Sequence, residues 1–268
     1  GSLGFIVSAR DIAQGLGGRH ETEHFVILHA ADPRLAQDID AIAQDHEFRY
    51  QQLAQLFGPA PPGKITSFYF SSAQDKRKWM GAAETYIAKP WRREIYIQHD
   101  GPPHAVLRHE LAHVFAGDFG DALLGVSVSW WGWPPFRFNP GLIEGLAVAA
   151  DWPAAQRARM TPHQAARTLY DAHELPSIRQ LFAPGFLSFS AQKSYTVAGS
   201  FVRFLLDTYG VDQLKALYRA GGTESAFVRA YGQPLAQLEA AWHDLLRRTP
   251  AEPSHAEVAR ERFRRPAI

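Results

Sequence analysis

Val106-Leu107-Arg108-His109-Glu110-Leu111-Ala112-His113-Val114-Phe115-Ala116-Gly117 is the stretch on which the reading of this chain turns. Val106, Leu107, Leu111, Val114 and Phe115 recur at helical spacing and predict one buried face. Asp100 and Gly101 stand where a cap belongs, Pro102 or Pro103 suits a first turn, and Gly117 marks the end. On such a helix His109 and His113 are at i and i+4, stack on one face and can reach a common ion. Imidazole suits zinc, and a catalytic zinc takes three protein ligands and keeps one position open. Glu110 is turned by about 100° from His109, so it sits beside such an ion, within reach of a water proton. Two imidazoles and a carboxylate on an apolar helix are unfavourable to bury unless paired or metal-bound. Satisfied core histidines are the alternative.

The H-E-x-x-H spacing is the one used by zinc-dependent hydrolases. With 12 His in the chain it occurs a second time, as His20-Glu21-Thr22-Glu23-His24, which also fits the reversed H-x-x-E-H form. That copy follows Gly15, Gly17 and Gly18 and runs into Phe25-Val26-Ile27-Leu28. It has no apolar helical stripe and reads as a solvated segment before a strand. After His113 comes Pro140-Gly141-Leu142-Ile143-Glu144-Gly145-Leu146-Ala147-Val148-Ala149-Ala150. This is an apolar, Ala-rich helix with one carboxylate expected in its first turn. Alone, Glu144 would be a dipole partner for the helix N-terminus. Downstream of a helical H-E-x-x-H it is the natural third zinc ligand.

On these residues the chain resembles the gluzincins, thermolysin-like metallopeptidases whose third ligand is a Glu on a later helix. Leu142-Ile143-Glu144-Gly145-Leu146-Ala147 is similar to their L-x-E-G-x-A segment. The likeness to small bacterial peptidase MA-like domains extends over residues 24–246. It takes in a helix ending at Phe57-Gly58, a strand Ile65 to Phe70, a long helix from Ser194 to Tyr209 with its stop at Gly210, and a closing helix around Trp242. The resemblance implies a zincin-like α+β fold. A small mixed β-sheet with helices forms the N-terminal lobe, the C-terminal lobe is mainly helical, and the zinc helix lies at their junction. It also implies an oxyanion donor from the helical lobe, for which Tyr195 is the matching residue; a core tyrosine is the alternative. His173 is a weaker candidate for that role, while His163 and His243 read as surface or structural. Two positions depart from the family. An Asp that orients a zinc histidine in thermolysin-type enzymes is Val148 here, with Asp151 the nearest acid. The G-x-M-E-N strand of aminopeptidases is replaced by Arg93-Glu94-Ile95-Tyr96-Ile97-Gln98.

Length and composition set the outer bounds. A chain of 268 residues can bury a substantial core. A net charge of +1 provides no basic field, so no nucleic-acid partner is expected. Without Cys neither disulfides nor thiolate zinc sites are available. No run reaches membrane-span length. The absence of Cys fits an extracytoplasmic or membrane-tethered protein, and Gly1-Ser2 reads as a remnant of cloning, which would put any leader or anchor outside this chain. Residues 1–23 are expected to be a flexible segment, 24–143 an α+β lobe with the H-E-x-x-H helix, 144–246 a helical lobe with the third ligand, and 247–268 a tail. Strands are expected at His24 to Ala30, Ile65 to Phe70, Glu84 to Ala88 and Glu94 to Gln98, and none after Glu144. A helix from Asp32-Pro33 to Phe57 should turn Ile39, Ile42, Phe48, Leu53 and Leu56 inward. Trp130, Trp131, Trp133, Phe136 and Phe138 between the two zinc motifs suggest a cleft wall, a local aromatic core or contact with a membrane surface.

The expected function is that of a zinc metallopeptidase with one zinc per chain and a peptide or protein substrate. His109, His113 and Glu144 would hold the metal. Glu110 would take a proton from the zinc-bound water and pass it to the leaving amine, with the oxyanion met by Tyr195. The strand Glu94 to Gln98 would offer its edge to an extended substrate. The alternatives are a zinc-binding scaffold with little turnover and a hydrolase of non-peptide amides or esters.

Overall fold

A computed structural model describes residues 7–60, 62–81, 86–130, 137–152, 160–183, 186 and 188–251. It is a mixed α+β protein, and its contacts divide the chain into two compact units, Gly1–Asp118 and Phe119–Ile268.

The first unit is built on a five-stranded sheet. β1 (Gly17–Glu21), β2 (Phe25–Ala30), β3 (Ile65–Phe70), β4 (Ile87–Lys89) and β5 (Glu94–Gln98) lie in the order β1-β2-β3-β5-β4. β2, β3 and β5 are parallel, and β1 and β4 add antiparallel edges. Parallel neighbours need a crossover, and the 25-residue helix α2 (Pro33–Phe57) supplies it between β2 and β3. Asp32 caps α2 by accepting from the Arg34 N–H, with Pro33 in the first turn. All five residues of β5 are buried, as expected of a strand covered on both faces. The expected use of β5 as a substrate edge is therefore corrected: Glu94, Ile95 and Tyr96 are already paired with Lys89, Ala88 and Ile87 of β4.

A second correction concerns the N-terminus. Residues expected to be loose form α1 (Ala9–Leu16) and then β1, so the first H-E-x-x-H copy is partly strand. Ser8 and Asp11 make a reciprocal capping box, and Ile12 and Leu16 join a core with Phe68, Phe70 and Tyr96. The glycines taken for flexibility serve close packing. A Cβ on Gly15 would overlap the indole of Trp79 on α3 (Ala73–Met80), and one on Gly18 would overlap the His29 ring.

On the opposite face α2 buries Ile42 and Leu53 as expected, but Phe48 is 53% exposed. Asp45, His46 and Arg49 are inside instead. The stripe is shifted because these polar groups find partners. His46 bonds the Ile42 carbonyl through Nδ1 at 2.8 Å and Ser67 Oγ through Nε2 at 2.9 Å. Arg49 Nε donates to Asp45 Oδ1 at 3.2 Å.

The second unit is helical apart from a ribbon of two-residue strands, β6 (Val128–Ser129) and β7 (Arg137–Phe138), which the sequence reading did not anticipate. Its helices are α5 (Pro140–Ala150), α6 (Pro162–Asp171), α7 (Ile178–Leu181), α8 (Ala191–Tyr209), α9 (Val211–Arg219), α10 (Glu224–Tyr231) and α11 (Leu235–Arg248). α8 is the hub. Ser200 on it accepts the Trp242 indole N–H at 3.1 Å and bonds His163 Nδ1 at 2.8 Å. His163 is thus structural.

Burial pushes both His46 and His163 down to about 4 from the ordinary 6.5. Between those pH values the unfolded chain takes up protons that the folded one refuses, so acidification costs stability. Each group removes at most about 3 kcal/mol between pH 6.5 and 4. Thermal unfolding followed from pH 7.5 to 4.5 should show a falling midpoint, with a shallower fall in His46→Gln. A midpoint independent of pH over that window would contradict the assignment.

Candidate metal centre

The helix that carries the H-E-x-x-H segment, α4, spans Leu107–Ala116. It starts later than expected. Asp100, Gly101, Pro102 and Pro103 precede it without capping it, and its N-cap position, Val106, makes no side-chain cap bond. What fixes its start is His104, a residue the sequence reading did not single out. The buried His104 donates its backbone N–H to Asp45 Oδ2 at 2.7 Å. Its Nε2 lies 2.7 Å from the Gln98 carbonyl of β5, while Nδ1 takes the Val106 N–H at 3.3 Å. This pattern needs the neutral ring protonated on Nε2. Burial agrees with it, lowering the His104 pKa. The available signal was the i,i+4 pair Asp45 and Arg49 on α2, too polar to be placed in a core from sequence alone.

α4 is held on its apolar side as expected. Leu107, Leu111, Val114 and Phe115 are buried, and Phe115 meets the Tyr50 ring of α2 at 5.1 Å. The His109 and His113 rings are 5.0 Å apart at 81°. His113 and Glu110 are buried, and His109 is half-buried. The helix ends where Gly117 N–H returns to the His113 carbonyl at 3.1 Å.

α5 owes its start to Asn139, whose side chain accepts the Leu142 N–H at 2.9 Å, and to Pro140 in the first turn. No acidic residue lies in that turn. Glu144 is in the second turn, a correction that weakens its reading as a dipole partner, since that effect fades beyond the first turn. Gly145 beside it admits α8: a Cβ there would stand 2.9 Å from the Ala198 carbonyl oxygen. Val148, at the position of the thermolysin-type Asp, faces Gly199 of α8, where a Cβ would overlap it. The departure from the family pattern therefore has a packing role. Asp151 closes α5 through its N–H to the Ala147 carbonyl at 2.9 Å.

A ligating atom from each of His109, His113 and Glu144 lies within 4.8 Å of the others. Among the described residues no second group of three or more metal-ligating side chains comes together. In the first H-E-x-x-H copy His20 is in β1, while His24 bonds Glu47 Oε2 at 2.7 Å and stacks on Tyr50 at 3.8 Å. The donor chemistry suits zinc: two imidazole nitrogens and one carboxylate oxygen.

Tyr195 is half-buried on α8, its ring edge-on to Phe186 at 5.5 Å. His173 is exposed after α6 with a φ of 57°. His243 is half-buried on α11 against Trp242. Tyr218 on α9 is fully buried, and burial together with the Glu144 charge raises its pKa. Trp131, Trp133 and Phe136 lie outside the described residues. No protein family, curated protein or solved structure matches the chain. The gluzincin reading therefore rests on the residues themselves.

Removing the Asp45 carboxylate would strand the His104 N–H and leave the Arg49 charge buried. Asp45→Ala should lose about 3 kcal/mol, measured by urea unfolding. A loss under about 0.5 kcal/mol, the level of an ordinary surface change, would show that the network does not anchor α4.

Proposed function

We propose that this chain is a zinc-dependent metallopeptidase of gluzincin type, with a zincin-like arrangement of its sheet and helices. The observation that carries the reading is the approach of His109, His113 and Glu144 to within 4.8 Å of one another. These three residues would hold one zinc. When bound, the metal supplies Lewis acidity at neutral pH.

The remaining chemistry belongs to the chain. Glu110 follows a ligand on α4 and is 6% exposed, so its carboxylate is set among fixed neighbours. In the ionised form it takes a proton from the attacking water, and in the acid form it returns that proton to the leaving amine. The buried backs of α4 and α5 hold their side chains on rigid elements, as a catalytic constellation requires. Tyr195 is the residue proposed to donate to the oxyanion.

Glu110→Gln separates binding from turnover. The variant should keep its metal and fold while hydrolysis of a mixed peptide library falls at least about 100-fold. His113→Ala should lose metal and activity together. Wild-type protein loaded with zinc that cleaves no peptide but turns over small esters or amides would replace the peptidase reading with the non-peptide alternative. Unchanged peptide hydrolysis in Glu110→Gln would overturn the role of Glu110.

A further inference from the structure

The second unit contains an open cavity of 640 Å³, lined by Ser129, Trp130, Arg219, Thr223, Ser225 and Arg229 among others. Its walls are fixed. The Trp130 indole N–H donates to Asp121, which also accepts the backbone N–H groups of Leu123 and Leu124. On the other wall the turn from α9 to α10 lies directly on β6, where a Cβ at Gly221 would be 2.6 Å from the Val128 carbonyl oxygen. Asn139 ties the same turn to the start of α5 through the Gly221 carbonyl at 3.4 Å.

The charge in this cavity is unbalanced. Arg219 and Arg229 are exposed, and neither forms an ion pair with a carboxylate among the described residues. The one acid in the lining is Glu224, and both of its oxygens are engaged. Oε2 takes Arg179 at 3.2 Å, and Oε1 takes the Leu235 backbone N–H at 3.2 Å. Two guanidiniums, three hydroxyls and an anchored indole, 50% exposed, therefore line one concavity of ligand-site size. Guanidinium recognises carboxylate with directional paired bonds, and an indole face takes an apolar side chain.

We infer that this cavity is a subsite for an acidic segment of an extended peptide, its carboxylate held by Arg219 and Arg229 and a neighbouring apolar side chain on Trp130. The inference rests on the peptidase reading, and it supplies the substrate class for that site. β7, which pairs with the cavity strand β6, runs directly into α5 and so into Glu144. A concave, hydroxyl-lined site fits a peptide better than a bilayer, which engages an amphipathic outer face.

The test is fluorescence anisotropy with a labelled peptide containing Glu and Phe, against the same peptide with Gln for Glu. Binding is measured to Glu110→Gln protein so that turnover plays no part. The acidic peptide should bind about tenfold more tightly, the difference should shrink with salt, and it should vanish in an added Arg219→Ala/Arg229→Ala pair. Both arginines are exposed, so an unchanged thermal midpoint serves as the folding control. Equal binding of the two peptides, or discrimination that survives the double substitution, overturns the subsite. Binding to phosphatidylglycerol vesicles that the double substitution abolishes, without peptide discrimination, assigns the arginines to a lipid surface and also overturns it. The two readings fail separately. Discrimination in binding with no cleavage by wild-type protein sinks the peptidase and leaves the subsite. Cleavage of both peptides at equal kcat/KM sinks the subsite and leaves the peptidase.

Discussion

The hydrogen bond from the His104 backbone to Asp45 joins the longest helix of the first unit to the segment that starts α4. A carboxylate in the interior is tolerable only when its oxygens are satisfied. Asp45 meets that condition with Arg49 on one oxygen and His104 on the other. His104 in turn bonds the end of β5 and the Val106 N–H. Sheet, long helix and zinc-motif helix are thereby held in one polar network. A helix without a side-chain cap needs such an external anchor, because its first N–H groups have no partner within it.

The chemistry proposed for the chain depends on that rigidity. Two imidazoles on adjacent turns can serve one ion only while the helix between them keeps its phase. The apolar back of α4 fixes that phase, with Leu111 and Phe115 buried against the sheet and α2. α5 is fixed differently, by Asn139 at its start and by glycines that let α8 lie close along its length. In both helices small or apolar residues carry the packing, leaving the ionisable side chains for the site.

Much of this was legible in the sequence because it is local. The spacing of His109 and His113, the helical run from Pro140, the succession of strand, long helix and strand up to Phe70 and the lack of strand periodicity after Glu144 are all written in local patterns of residue type. What was not legible depends on partners distant in the chain. Phe48 reads as a core residue until the partners of Asp45, His46 and Arg49 are known. Gly15 and Gly18 read as flexible until Trp79 and His29 fill the space a side chain would need. β5 reads as a free edge because a strand expected near Ala88 does not by itself show which strand it pairs with; β4 (Ile87–Lys89) covers that edge. His104 had no motif at all; its importance lies in what it joins.

Zinc content per chain, measured by elemental analysis of protein exposed to zinc at neutral pH and then dialysed, tests the central claim most directly. The account predicts about one zinc per chain, lost on substitution of Glu144 by Ala and retained on substitution of the neighbouring Ile143 by Val. A wild-type protein without bound zinc, or one whose zinc is unaffected by loss of Glu144, would contradict it.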